Sequence, residues 1–284
     1  MNGSREVVSR LTSDVRHIHL SSCITRIQPD IDDDMRTVSI TCETPTDTRV
    51  HTGFHHVVFA TQANRAVPLL RSYLSALPAD AGVQRTALDA QIACLSAFRY
   101  TSTVVVNHTD EGLMPDCVRD RRDLNLVNVE RPIAGTTAED PGRFVCSGSH
   151  TMATQVLPVP AGYPVGLPRV YQTTNPVVAP REESVVSVAV LERAVLTLEA
   201  KRSLEGLHRT MGRRWWRCRV EGRAELGKLQ GAGRRRGDGP GVWICGSFAY
   251  GGIPLLEGCV VSARTVVEQG LMASEGVVMK DAPW

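Results

Sequence analysis

Several signatures that would narrow the function are missing from this sequence. No stretch approaches the roughly 18 to 20 consecutive apolar residues of a membrane helix, and the amino terminus has no apolar centre of the secretory type. Cysteine is present, but its eight positions (Cys23, Cys42, Cys94, Cys117, Cys146, Cys218, Cys245 and Cys259) include no Cys-x-x-Cys pair. That removes the usual spacing of a structural zinc site or a dithiol redox centre, so no metal is expected. Several of these thiols lie in apolar runs, as buried free cysteines do, and a reducing, cytoplasmic compartment is the expected setting. Gly-x-Ser-x-Gly, His-Glu-x-x-His and Walker A patterns are absent, which takes the usual support from hydrolase and nucleoside-triphosphatase readings. Gly-x-Gly-x-x-Gly is absent too. A dominant charge is also lacking: the formal net charge is +2 with a pI of about 8.2, so global electrostatics predicts neither a nucleic acid nor a membrane surface as partner. Asn2 and Asn107 fit the glycosylation sequon, which carries no weight without a secretory route.

What is present reads as globular. The 284 residues are 42% hydrophobic and 22% charged, enough to bury a large core in one large or two smaller domains. Apolar positions Val7, Val8, Leu11 and Val15 predict a helix over 5–15, and the alternation of Ile18, Leu20, Ile24 and Ile27 predicts strands after it. "TVSITCET" (37–44) and "HHVVFAT" (55–61) read as strands, the second as a buried one. Helices are expected over 63–77 and 81–96, and the β-branched run "RYTSTVVVNHTD" predicts a strand. Further strands are expected at 124–130 and 143–150. The segment from Gln155 to Glu183 holds six of the sixteen prolines and is expected to be irregular. A helix is predicted over 187–205.

Near the end of the chain, "GVWICGS" (241–247) is a buried-strand pattern, Gly251 and Gly252 permit positive φ in a turn, and Pro254 suits a first helical position. The unit is therefore strand, glycine turn, helix. Such a helix start presents unpaired N–H groups with partial positive charge, and glycine leaves room for a flat or anionic ligand. Gly258 and Ser262, four apart, would let the helix lie close against its support. On pattern alone, a tight turn before a core helix is the preferred reading of the stretch.

"VWICGSFAYGGIPLLEGCVVSARTVVEQG" resembles the carboxy-terminal flavin-binding segment of the flavin-containing amine oxidase and phytoene desaturase superfamily. "HHVVFATQANRAVPLL" is similar to that family's strand ending in Ala-Thr before a helix, and "SSCITRIQPD" to the strand whose backbone meets the adenine. "LSAFRYTSTVVVNHTDEGLMP" and "RRDLNLV" are similar to its predicted NAD/FAD-binding subgroup. The resemblance implies an α/β, Rossmann-like FAD/NAD(P)-binding fold with an inserted mixed α+β substrate domain. FAD is the implied cofactor, and the implied activity is hydride transfer from a small amine or unsaturated substrate. Position by position it implies that Ile24 lies by the adenosine half and Ala60 and Thr61 near the dinucleotide backbone. Gly246 and Ser247 would lie near the pyrophosphate and ribityl chain, and Ile253, Pro254, Leu255 and Leu256 beneath the ring. Glu257 would be a first-turn carboxylate complementing the helix dipole rather than a base. The implied domains are a partial FAD-binding domain over 1–70, a substrate domain over 71–239 with a basic insertion at 213–240, a cofactor segment over 240–275, and a tail over 276–284.

Two features depart from the family. Ser247 stands where many relatives hold an acid, and the missing Gly-x-Gly-x-x-Gly leads to the expectation that the chain is the carboxy-terminal part of a longer flavoprotein. A non-catalytic remnant is the first alternative. The second is nucleic-acid binding through the arginine-rich segment 213–236 with its tandem Trp215 and Trp216, since Arg neutralises phosphates and Trp stacks on bases; a surface loop is the preferred reading of that segment. His55 and His56 are expected as solvent-edge histidines, His108 as a hydrogen-bonded interior residue, and His150 as a candidate pocket lining. Catalytic residues are not legible.

Overall fold

A computed structural model describes residues 3–30, 33, 35–128, 151–159, 162–164, 166–195, 197–210, 224–232, 234, 239–252 and 255–278. Helices and several sheets are mixed along the chain, an α/β composition. The chain divides into two compact units, one made of 1–14 and 100–193 and the other of 15–99 and 194–284. Residues 71–99 and 194–239, expected in the substrate domain, thus belong to the same unit as the strand of 55–61 and the glycine turn.

The first unit contains helix α1 (Gly3–Leu11) and most of a five-stranded sheet. The strands of that sheet are β5 (Arg99–His108), β6 (Leu124–Asn128), β7 (Thr151–Val156), β8 (Tyr171–Thr174) and β9 (Val185–Val195), in the order β6-β7-β8-β5-β9. β6–β7, β7–β8 and β5–β8 pair antiparallel. Alternation along each strand sends His108, Val106, Tyr171, Thr173, Thr154 and Met152 to one face, and all six are buried. The helix expected over 187–205 is not there. Val185–Val195 is a strand, and only Leu198–Leu204 is helical. Five valines in eleven residues favour the pleated backbone, which accommodates their branched Cβ better than a helix does. β8 interrupts the segment expected to be irregular.

The second unit opens with an antiparallel sheet of β1 (Cys23–Pro29), β2 (Val38–Glu43) and β3 (Thr48–Phe54). Residues 17–20, expected as strand, are not in one. β4 (His56–Phe59) then leads into helices α2 (Ala63–Ala76) and α3 (Gly82–Ser96), which bury Leu70, Tyr73, Leu88 and Leu95. β4 is half-buried: Val57 and Phe59 point inward and Val58 outward. Helix α4 (Leu198–Leu204) starts at Thr197, whose hydroxyl accepts from the Ala200 N–H at 3.0 Å, a regular N-cap. β10 (His208–Thr210) and β11 (Ala224–Leu226) form an antiparallel pair. β12 (Gly241–Ile244) is buried at every residue and runs parallel to β4.

Buried backbone groups need partners, and the other side of β12 is closed by a backbone bridge between Val242 and Ala232 and by side chains. The Gln230 amide accepts from the Ile244 N–H at 2.8 Å and donates to the Ile244 carbonyl at 2.6 Å, while the Gln91 amide donates to the Val242 carbonyl at 3.0 Å. Residues 224–232, expected as part of a surface loop, are therefore built into this unit, with Gln230 and Ala232 buried. Trp215 and Trp216 lie outside the described residues.

Candidate functional site

The parallel pairing of β4 and β12 matches Ile244 with Phe59, and the Cys245 N–H donates to the Phe59 carbonyl at 2.9 Å. Both strands therefore end on the same side, so Ala60–Thr61 and Gly246–Ser247 emerge next to each other. Carboxyl ends of parallel strands are where ligands of α/β sheets bind. Gly246 has φ +144°, a conformation a side chain rarely tolerates. A short 3-10 turn, Ser247–Ala249, follows and buries Phe248 and Ala249.

Helix α5 (Leu256–Val266) returns against this turn. The Ser262 hydroxyl accepts from the Gly246 N–H at 3.0 Å and lies 3.0 Å from the Gly246 carbonyl. At Gly258 an added Cβ would stand 3.1 Å from the Tyr250 ring and 3.3 Å from the Ser247 carbonyl. The close approach expected of Gly258 and Ser262 is thus an approach to the turn itself. Farther on, the helix widens into a π-turn over Val267–Leu271 before α6 (Met272–Ser274). There the Gln269 amide accepts from the Leu226 N–H at 3.0 Å and donates to the Ala224 carbonyl at 2.8 Å, fixing β11 to the helix.

Leu255 has no side-chain capping bond, and Leu255, Leu256 and Glu257 are exposed. Ile253 and Pro254 lie outside the described residues. Beside the glycine turn is a cavity of about 270 Å³ lined by Phe98, Leu198, Leu204, Phe248, Tyr250 and Gly252, among others. The rings of Phe98 and Phe248 meet edge-on at 5.1 Å. An added Cβ on Gly252 would stand 2.5 Å from the Tyr250 ring, so glycine is required where the turn lines this space.

Titratable groups near the turn are held in defined states. Burial, reinforced by neighbouring Cys259, pushes the Cys245 thiol up to about 11, which makes it a packing residue rather than a nucleophile. Burial holds His208 below the ordinary histidine value. His208 packs edge-on against Tyr250 at 5.5 Å and lines a second cavity with Lys201, Glu205 and Arg209. Nothing in the sequence pointed to these four residues, which follow or lie in the stretch read there as one long helix.

Ile24 is the expected site residue that stands apart. It is exposed, on β1, in a sheet separate from the β4–β12 pair. His56 is not a plain solvent-edge residue: its Nδ1 accepts from the Trp243 indole at 3.0 Å, and its Nε2 lies 2.8 Å from the Glu275 carboxylate, which also accepts from Arg234. His108 is wholly buried and hydrogen-bonded. His150 lies outside the described residues. Among the described residues no three His, Cys, Asp or Glu side chains are grouped to hold a metal, and no helix is long and apolar enough to cross a membrane. Comparison with protein-family models gives no match, and comparison with curated proteins gives none.

Proposed function

We propose that the cleft at the carboxyl ends of β4 and β12 is the cofactor-facing site of an FAD-dependent oxidoreductase of the amine oxidase type, acting on a small amine or unsaturated molecule. The observation that carries this reading is the parallel pairing of β4 and β12, which brings Ala60–Thr61 and Gly246–Ser247 side by side at the strand ends, with Ser247 and the following glycine turn lining an aromatic cavity. The lining suits a flat, electron-accepting group: Phe98, Phe248 and Tyr250 supply aromatic surface, and Leu255 at the start of α5 makes no side-chain capping bond. When bound, a flavin supplies the hydride-accepting ring.

The chain's own residues supply the setting. Ala60, Thr61, Gly246 and Ser247 would hold the dinucleotide end through backbone groups at the strand ends. The N–H groups of Leu256 and Glu257 would favour negative charge gathering on the ring edge, because they carry the positive end of the helix dipole. Phe98, Phe248 and Tyr250 would exclude water from the reacting face. Ser262 keeps the turn and the helix in register through its bonds to Gly246. Cys245, kept as a thiol, and Glu257, in the first helical turn, are assigned no proton-transfer role.

The test is direct. The full chain incubated with FAD and freed of excess ligand by gel filtration should retain the visible absorption bands of bound flavin. A folded chain that emerges colourless overturns the reading.

A further inference from the structure

A second cavity adjoins the aromatic one. This chamber, of about 360 Å³, is lined by Lys201, Leu204, Glu205, His208, Arg209 and Gly251, and shares Lys201, Leu204 and Gly251 with the first. Together the chambers reach the size of small-molecule clefts, roughly 300–1,000 Å³. One is apolar and aromatic, and the other carries charge.

Local structure explains the charge. Lys201 and Glu205 are four residues apart along α4 and its end, so both stand on one side with Leu204 between them. The chain then turns directly into β10, which brings in His208 and Arg209. Most other arginines with a nearby carboxylate are engaged: Arg121 with Glu111, Arg181 with Asp110, Arg234 with Glu275 and Arg264 with Glu268. Among the described residues, neither Lys201 nor Arg209 forms an ion pair. Glu225 is the register partner of Arg209 in the β10–β11 ladder, yet the two are not bridged. The His208 ring makes no hydrogen bond within the described residues, only its contact with Tyr250. Because burial lowers its pKa, it is neutral at neutral pH and offers one N–H and one acceptor.

We infer that Lys201, Glu205, His208 and Arg209 form a subsite for the carboxylate of a monoanionic ligand whose apolar body lies among Phe98, Phe248 and Tyr250. Two unbridged cations against the single carboxylate of Glu205 favour one negative charge. Glu205 in the chamber and Glu225, beside Arg209 on the same face of the β10–β11 ladder, oppose a dianion such as a phosphate ester. Arg209 supplies the planar fork that matches a carboxylate, Lys201 a point charge, and His208 a neutral donor. The inference rests on the reading of this cleft as a small-molecule site and, of the two substrate classes proposed above, favours the unsaturated molecule, carried as its acid, over a simple amine.

Calorimetric titration of the full chain, with and without FAD, tests it using 3-phenylpropionate, 3-phenylpropylamine and phenyl phosphate. The acid should bind more tightly than either of the others, and Lys201→Gln and Arg209→Gln should each weaken it about tenfold, the scale of a charge-assisted hydrogen bond. His208→Gln should weaken it less, since a neutral donor remains. The inference is overturned if the amine or the phosphate binds as tightly as the acid. It is equally overturned if a chain that melts cooperatively binds no acid, or if both glutamine variants bind it unchanged. A chain that binds the acid but not FAD keeps the subsite and loses the flavin reading. A chain that binds FAD and not the acid does the reverse.

Discussion

His108 shows how a single buried residue can set a dependence on pH. Its Nδ1 accepts from the Asp110 N–H at 3.1 Å, so the proton of the neutral ring sits on Nε2, 2.7 Å from the Thr173 hydroxyl. Thr173 continues the chain to Thr154 at 2.9 Å, and Tyr171 stacks on the imidazole at 5.8 Å. Burial lowers the His108 pKa, although the nearby Asp110 carboxylate pulls the other way. Burial would also raise Asp110, but the N–H groups of Arg181 and Gly112 and the Arg181 guanidinium hold it below the ordinary carboxylate value. Asp110 is thus already engaged and does not hold His108 charged. The native state therefore takes up fewer protons at this site than the unfolded chain. Stability from His108 is complete above about pH 6.5, the unfolded value, and is lost as pH falls from there towards the lower folded value. Urea unfolding of the wild type and His108→Gln at pH 7.5, 6.0 and 5.0 checks this. The wild type should lose more stability on acidification than the variant, which can still bond Thr173 and Asp110 without titrating. Parallel losses would remove His108 as the source.

Among the elements, the α5–π–α6 helix depends on small residues in a way that yields a sharp prediction. Trp243 is fully buried in β12 and packs with Cys245 and Val266, and a Cβ added at Gly270 would run into its six-membered ring. Neither side can move freely, because the Trp243 indole is bonded to His56 and the π-turn is bonded through Gln269 to β11. Gly270→Ala should therefore destabilise the protein by about 1–3 kcal/mol, the scale of an overpacked core, despite the better helix propensity of alanine. A thermal or urea melt measures it, and an unchanged or raised midpoint would show that the ring has room to shift.

Elements with strong periodicity were legible in the sequence: α2, α3, β5 and the order strand, turn, helix after β12 lie where the pattern puts them, although the positive φ falls at Gly246 rather than at Gly251 or Gly252 and α5 starts at Leu256 rather than at Pro254. β3 was not, because Thr48–Phe54 is exposed on both faces and has no alternation to read. The misreading of Val185–Val195 had a larger effect. Merging β9 and α4 into one helix hid the turn that brings Lys201, Glu205, His208 and Arg209 together. The glycine half of the site was readable because backbone geometry demands particular residues. Its charged half was not, because any exposed helix end can carry a lysine and a glutamate, and only the fold sets them beside a buried histidine.

For the whole molecule, charge and one sheet edge act together. The formal net charge is +2, and with a pI near 8.2 mutual repulsion between molecules vanishes in mildly alkaline buffer. Among the described residues β9 ends the five-stranded sheet, with Val186, Val188, Val190 and Leu191 exposed, Val190 to 67%. A long apolar edge offers its free backbone groups to another chain, and natural edges commonly carry lysine to prevent this. Self-association should be greatest near pH 8.2 and fall on either side of it. Val190→Lys should reduce it by placing a charge on the exposed edge, most strongly below pH 8.2, where the added charge also raises the net positive charge, at a cost in stability of under about 0.5 kcal/mol for so exposed a site. Static light scattering at fixed concentration from pH 6 to 10 reads both effects. If scattering is flat with pH and Val190→Lys leaves it unchanged, the β9 edge is not where these molecules meet.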